Sequence, residues 1–485
     1  MIVAFTKDWD DVPTCTTHIL REMAKSTPVL WVSSIGTRKP SAASPKDVRR
    51  ILSRLVSGLR PAAWKENNLR VLKPILIPKA QSAVAVWANR LVFGWYLRRE
   101  LASWMLPSEH RPEATAQGHL EYWCFVPNAV DLLPRGARGA LQRETKGTEP
   151  RDGTAGNGGD RGCPEQEGTE ETEVRKEGHR PPATARLIYY CADDWTKFAS
   201  IDSHWMAQKE RELLTRTDIV FASSRYLVEK LSTTAAKSVE RHTWDVERRA
   251  EAAAPSASRQ ASCVIVDDLQ STDPGASSTS HVPRSTFHGP PPIHYMPHGV
   301  EYDRFSQALD KSVPIPDEIE SIPRPVIGFY GNLHPWVDFG LIGKLAEAMP
   351  ERSFVVIGER YSDVGRLARL PNVYLLGRRS HDALHHYCRA FDVAIIPYDM
   401  DNPRMESVNP VKTKELLAAG VPVVASDVPE LRTYGNRVLT CAAFEDWVEA
   451  IDSQLRRADR KEISESMCTE SWDARVAQIR RIVDR

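Results

Sequence analysis

The chain is 485 residues long and 41% hydrophobic, and its 64 Lys and Arg balance 64 Asp and Glu to a formal net charge of zero. That length accommodates two ordinary domains, since single cores stop growing near ~250–300 residues, and the balanced charge removes any global electrostatic case for a nucleic-acid partner. The eight cysteines are scattered with no Cys-x-x-Cys pair, so no zinc ligand set or disulfide framework is legible and a reducing compartment is expected.

The opening MIVAFTKDWDD has no basic segment leading into a long apolar core, so it does not read as a signal peptide and a cytoplasmic location is expected. Strands are expected at Ile2–Thr6 and Val29–Val32. The segment Arg38–Arg99 carries fourteen Lys and Arg against Asp47 and Glu66, with Trp64, Trp87 and Trp95 interleaved. It reads either as a surface for anionic lipid or as a solvated helical face. The best apolar run, Ala83 to Leu97, is broken by Asn89 and Arg90 and is no membrane span. Further strands follow at Tyr122–Val126, Leu187–Cys191, Ile219–Ala222 and His294–Met296. Two tracts, about 135–184 and 232–290, are too polar to offset their ordering entropy and read as mobile surface insertions.

The second half repeats the alternation, with strands expected at Val326–Tyr330, Phe354–Ile357, Val373–Leu376, Val393–Pro397, Val423–Ala425 and Val438–Thr440. Apolar runs alternating with helical stretches indicate an α/β protein with parallel sheets, and two sets of about six strands suit two sheets. The expected division is an N-terminal domain over 1–310, a second over 311–467, and a final helix over 468–485 that returns to the first.

Phe391–Asp427 is the most informative stretch. A buried strand runs into a polar loop; Asn409 then stands where a helix N-cap belongs and Pro410 where the first helical residue belongs. Gly420 stops the helix and Pro422 prevents its continuation. The helix start therefore falls at the carboxyl edge of a parallel sheet, where open α/β folds bind ligands and free backbone N–H groups favour an anion such as a diphosphate. Lys412 adds a positive charge there. Glu415, at i+3, can accept from the vicinal hydroxyls of a ribose. Out of this context the same pair would be an exposed ion pair worth only ~0.3–0.5 kcal/mol.

NPVKTKELLAAGVPVVASD resembles the signature of retaining glycosyltransferases of family 4 and their relatives in teichuronic-acid and capsule synthesis. The resemblance implies the GT-B fold, two Rossmann-like domains facing a cleft. Met296–Phe305 resembles the segment before the interdomain linker, Val326–His334 the opening strand and glycine turn of the donor domain, and Tyr190–Trp195 a strand end of the acceptor domain. It implies a donor site of Gly331, Asn332, Ser407, Asn409, Pro410, Lys412 and Glu415, with His18 and His298 on the acceptor side. Where many members have a His-Asp pair this chain has Asp193-Asp194, which orient a substrate or cap the following helix. Members often carry two glutamates eight positions apart; here Ser407 stands eight before Glu415, with Glu406 one place off. The usual Arg and Lys after the glycine turn are not evident either, which leaves the phosphate to Lys412 and the turn's backbone.

The implied reaction moves a sugar, with retention, from a UDP- or GDP-sugar co-substrate to a saccharide or lipid-linked acceptor. It needs no cofactor and no metal: Asp399-Met-Asp401 only imitates the Asp-x-Asp of metal-dependent enzymes. A nicotinamide dehydrogenase is set aside, as no Gly-x-Gly-x-x-Gly follows either first strand. A GT-B sugar-nucleotide epimerase and a non-catalytic nucleotide-sugar scaffold remain as alternatives.

Overall fold

A computed structural model describes residues 1–11, 13–33, 62–66, 68–77, 82–105, 120–133, 185–198, 201–238 and 289–485. The first sheet contains β1 (Ile2–Phe5), β2 (Val29–Val32), β3 (Ala63–Glu66), β4 (Leu69–Leu72), β5 (Leu120–Cys124), β6 (Ala185–Cys191), β7 (Ile219–Ala222) and β8 (Ile293–Tyr295). Their order is β3-β4-β2-β1-β5-β6-β7-β8, and every pairing is parallel except the edge pair β3–β4. The second contains β9 (Val326–Tyr330), β10 (Ser353–Ile357), β11 (Val373–Gly377), β12 (Val393–Ile396), β13 (Val423–Ser426) and β14 (Val438–Cys441), in the order β11-β10-β9-β12-β13-β14 and all parallel.

The inner strands are buried on both faces, which explains why runs such as IVAF and VAII are apolar throughout instead of alternating. Each sheet has its own core. One lies around Phe329, Phe354, Phe391 and Leu417, and the other on the two faces of the first sheet around Phe5, Phe93 and Tyr189, and around Trp31, Trp123 and Phe221. The last helix, Trp472–Val483, inserts Trp472, Val476, Ile479 and Val483 into the latter face, and Arg480 pairs with Glu121 at 2.6 Å. The segment before it is bonded to the linker, Val300 N–H to Glu470 O at 3.0 Å.

Three expectations need correction. The first sheet has eight strands, because β3 and β4 fall within the basic segment and were not foreseen. Several of that segment's charges also have partners within the chain. Arg70 meets Glu100 at 3.0 Å, Lys73 meets Asp10 at 2.5 Å, and Arg90 donates to the Asp131 carbonyl at 2.6 Å. Residues 38–61, 67 and 78–81 of the segment lie outside the described residues. Residues 232–238 belong to a helix over 225–238, whose Leu227, Leu231 and Ala235 form a buried stripe at four-residue spacing. The rest of that tract, up to residue 288, and all of 135–184 lie outside the described residues.

No helix among the described residues is long and apolar enough to cross a membrane. The 23-residue helix Ala83–Met105 instead uses Asn89 as an internal link, its amide bonded to both backbone groups of Ile77. Trp87, Leu91 and Trp95 stay exposed at four-residue spacing along the same helix.

Candidate active site

In the second sheet the strand order reverses between β9 and β12, so the crevice of this open sheet opens beyond their carboxyl ends. Beyond β9 lies the turn at Gly331; beyond β12 lies the loop leading to the helix Val411–Ala418. Leu416, Leu417 and Ala418 anchor that helix in the core, each large side chain contributing roughly 1.5–3 kcal/mol. Gly420, with φ of +69°, ends it in the left-handed conformation that the sequence requires.

Lys412 points from the first turn of this helix to the glycine turn. Its ammonium lies 4.6 Å from the Phe329 ring centre and 5.5 Å from that of Tyr398, with no hydrogen-bond partner among the described residues. Burial lowers its pKa to about 8 against the raising influence of Glu415. The backbone N–H groups of Val411 and Lys412 have no acceptor among the described residues either. A cation and two amides thus stand at the switch point with no anion among the described residues bonded to them.

Gly331 is needed twice over. Its φ of +144° disfavours any L side chain, and a Cβ there would lie 2.3 Å from the Lys412 nitrogen. Behind it, a Cβ on Gly358 would lie 1.9 Å from the Gly331 carbonyl oxygen. Gly358→Ala is therefore expected to destabilise the protein by about 1–3 kcal/mol and to displace the turn. Calorimetric melting and ligand titration on the same variant check both effects.

Glu415 does not pair with Lys412. Its carboxylate accepts from Tyr330 Oη at 2.8 Å and is hydrogen-bonded to His381 Nε2 at 2.8 Å. His381 also faces Glu301 at 3.4 Å. Burial works against a charged His381 ring, but the bond to Glu415 and the charge of Glu301 prevail and hold its pKa above the ordinary value. Tyr330 is pushed well up, first by burial and then by Glu415. Sequence reasoning missed Tyr330 and His381; the terminal Tyr of VIGFY was the one available signal. Glu415→Gln removes the charge that both partners share, and charge-assisted bonds are worth ~1.5–3 kcal/mol. A lowered melting temperature is expected, together with weaker donor binding; calorimetry and titration separate this from Tyr330→Phe, which is expected to change stability alone.

Asn409 is not the helix cap. Pro410 occupies that position, and the Asn409 amide donates instead to Ser223 O at 2.8 Å in the other domain. Ser407 turns its hydroxyl back onto Arg404 O at 2.9 Å, while its own carbonyl accepts from Ser224 Oγ at 2.9 Å. Glu406 is paired with Lys197 at 2.7 Å on the protein surface. The 403–409 loop is thus stitched to the first domain, and neither Ser407 nor Glu406 extends toward Lys412. Asn332 is exposed beside the turn.

Asp194 caps the 3-10 turn Trp195–Lys197 through Thr196 N–H and pairs with Lys230 at 2.8 Å. Its pKa is lowered, the Lys230 charge overcoming burial. With its carboxylate committed in this way Asp194 takes the second of the two roles open from the sequence, the cap of the following turn. Asp193 differs: its carboxylate is partly open to water, with Arg404 of the second domain 3.9 Å away. Desolvation raises its pKa against the pull of Arg404. His18 stacks on Trp472 with ring centres 5.0 Å apart and lies 6.2 Å from His381; burial, then His381, lowers its pKa to about 4. His298 is buried beneath Trp472, and its carbonyl accepts from Lys414 at 2.6 Å. Its ring packs on Trp472, and its place on the acceptor side rests on the resemblance alone.

Two trehalose-6-phosphate structures are similar to the chain over its whole length. That of the synthase OtsA has a TM-score of 0.56 at 10% identity, covering 99% of that chain. The other, from E. coli and bound with UDP-2-fluoro glucose, has 0.55 at 11%, covering 98%. Sucrose-phosphate synthase from Thermosynechococcus elongatus is similar at 0.52 and 12%, again over all of this chain and 98% of that one. The fold is that of a GT-B glycosyltransferase. Within this GT-B chain, residues 324–457 match the family model described as glycosyl transferases group 1. The putative teichuronic acid biosynthesis glycosyltransferase TuaH of Bacillus subtilis (strain 168) is 35% identical over 144 residues. That stretch is 28% of this chain and spans 35% of the relative's length.

Proposed function

We propose that the chain is a glycosyltransferase that takes a sugar from a nucleoside-diphosphate sugar and delivers it, with retention, to a saccharide or lipid-linked acceptor. The observation that carries this reading is the unpaired Lys412 ammonium beside Gly331, at the head of a helix whose first amides have no acceptor among the described residues. A diphosphate fits such a place: helix N-termini favour anions, and a half-desolvated cation acts strongly on nearby charge. The family match of the second domain and the likeness to TuaH support the same reading.

Chemically, the bond between the anomeric carbon and the diphosphate breaks, and negative charge collects on the leaving phosphate. Lys412 and the amides of Val411 and Lys412 receive that charge without reorganising, which is the largest contribution a site of this kind makes. The leaving phosphate takes the proton of the acceptor hydroxyl, so no carboxylate pair has to activate water. Glu415 lies one turn along the helix, where its acceptor capacity beyond Tyr330 and His381 is available to a ribose hydroxyl. No metal enters this scheme.

Incubation with labelled UDP- and GDP-sugars, plus or minus EDTA, tests it. Transfer to an acceptor that EDTA leaves unchanged supports the proposal. An isomerised donor without acceptor would indicate an epimerase, and binding without turnover a scaffold. The exposed Trp87, Leu91 and Trp95, with Arg98 on the same helix, support a peripheral contact with anionic membrane. Binding to anionic vesicles is then expected to weaken as salt rises, since screening acts over ~8 Å at physiological ionic strength. Equal binding to neutral vesicles at high salt would remove that contact from the proposal.

A further inference from the structure

Arg404 stands on the loop after β12, in the 3-10 turn Pro403–Glu406, and reaches across the cleft. Its guanidinium is sandwiched between two aromatic rings, Phe198 of the first domain at 4.0 Å and Trp336 of the second at 4.5 Å. The stack continues through His334, 4.1 Å from Trp336, to Tyr361, 4.4 Å from His334. Both faces of the guanidinium are therefore covered by rings, an arrangement that strips water from the faces and fixes the plane. Only the edge remains, and the edge carries the five N–H donors.

Those donors make no hydrogen bond among the described residues. Asp193, the nearest carboxylate, is at 3.9 Å, beyond bonding distance, so it attracts the guanidinium without satisfying it. The Arg404 side chain is 18% exposed and none of its nitrogens is sealed in the interior, so its donors reach solvent. An arginine held flat by two rings and left without an acceptor is a preformed fork for a planar pair of oxygens. Trp336, on which Arg404 stacks, accepts at its carbonyl from Asp399 N–H at 3.0 Å, and the adjacent Tyr398 ring lies 5.5 Å from the Lys412 ammonium, so the fork and the ammonium flank the same start of the loop after β12. The glycine turn has no arginine or lysine of its own, and Arg404 supplies the second cation from a different loop.

We infer that Arg404 forms an oxyanion subsite of the donor pocket, binding two oxygens of a phosphate or of a sugar carboxylate through the free edge of its stacked guanidinium. This inference rests on the donor-site reading above. A phosphate oxygen pair would come from the nucleoside diphosphate itself, and a carboxylate pair from an acidic sugar such as a uronic acid.

Isothermal titration of the full chain separates these sources. The ligands are UDP and GDP, the neutral UDP-glucose and GDP-mannose, and the acidic UDP-glucuronate and GDP-mannuronate. They are applied to the wild type, Arg404→Lys and Arg404→Gln, with melting curves to establish that each variant is folded. Arg404→Gln is expected to weaken binding at least tenfold. Arg404→Lys is expected to recover only part, since lysine keeps the charge but loses the fork and the stack. An equal loss for the diphosphates and all their sugars assigns the fork to phosphate. A loss confined to the acidic sugars assigns it to the carboxylate. Unchanged binding of every ligand by folded variants overturns the Arg404 assignment and leaves the donor site standing. A wild type that binds none of the six overturns the donor site first, and Arg404 with it.

Discussion

Replacing Lys412 with Met is expected to lower kcat by roughly 10²–10³-fold, the usual cost of losing one donor to a developing oxyanion, while raising the melting temperature. The opposite signs have one cause. The ammonium is held against Phe329 and Tyr398 with no bonded partner among the described residues, and burial lowers its pKa from 10.5 to about 8. A group whose charged form is disfavoured by the fold costs stability at neutral pH. Met has similar length, removes that cost and packs on the same rings, so a gain of order 1–3 kcal/mol is expected after allowance for the water that still reaches the site. The pH dependence has a defined sign. The protonated form does the work, so kcat/KM, which reports the free enzyme, is expected to fall as pH rises through about 8. In kcat the same limb is displaced upward, because a bound diphosphate favours the ammonium. Steady-state kinetics over pH 6–10, read with melting curves at pH 7, checks both effects. A variant that loses stability and keeps its kcat would reduce Lys412 to a structural residue.

The features legible in the sequence were those set by local pattern. Each of the twelve expected strands exists to within two residues at either end, because a parallel strand covered on both faces must be an unbroken apolar run. The helix at Val411–Ala418, its glycine stop and the place of Lys412 follow from the same local rules. β3 and β4 escaped because LRVL is short, lies among basic residues, and buries an arginine whose side-chain partners, Glu100 and Ser103, stand on the distant helix Ala83–Met105. Asn409 looked like a cap because capping is judged from the next few residues, yet its partner Ser223 is 186 positions away. Asp193 and Asp194 were indistinguishable as neighbours in sequence. Lys230 and Thr196 bind one of them and Arg404 stands near the other, which separates the capping residue from its partly open neighbour. Arg404 itself carries no local signal, since both rings that fix it come from remote segments, one in each domain.

Glu470→Ala is expected to be the most destabilising single change, at about 3–5 kcal/mol. Its carboxylate accepts from Lys414 Nζ at 2.5 Å and also from Arg475, while Lys414 donates in addition to His298 O at 2.6 Å. Lys414 is 3% exposed, so removing Glu470 leaves two positive groups facing each other inside the protein. Burial acts to raise the Glu470 pKa, but Lys414 and Arg475 prevail and hold it below 4.5. A carboxylate with a depressed folded pKa gives stability above its unfolded value that is lost as pH falls through the folded one. The wild type is therefore expected to lose this contribution below about pH 4.5, where the variant, already without it, shows a flatter acid limb. Lys414 shares a helix with Lys412, and Glu470 fastens that helix to the linker and to the final helix that packs on the first domain. The loss is thus expected to extend to donor affinity. Pairing Glu470→Ala with Lys414→Met removes the more deeply buried of the two stranded charges and is expected to recover more than half of the lost stability, because buried ion pairs replaced by apolar groups are often neutral. Urea titrations of the two single variants and the double variant test this as a cycle. If the two single effects simply added in the double variant, Glu470 and Lys414 would not be coupled, and the link from the donor helix to the crossing helix would have to run through packing alone.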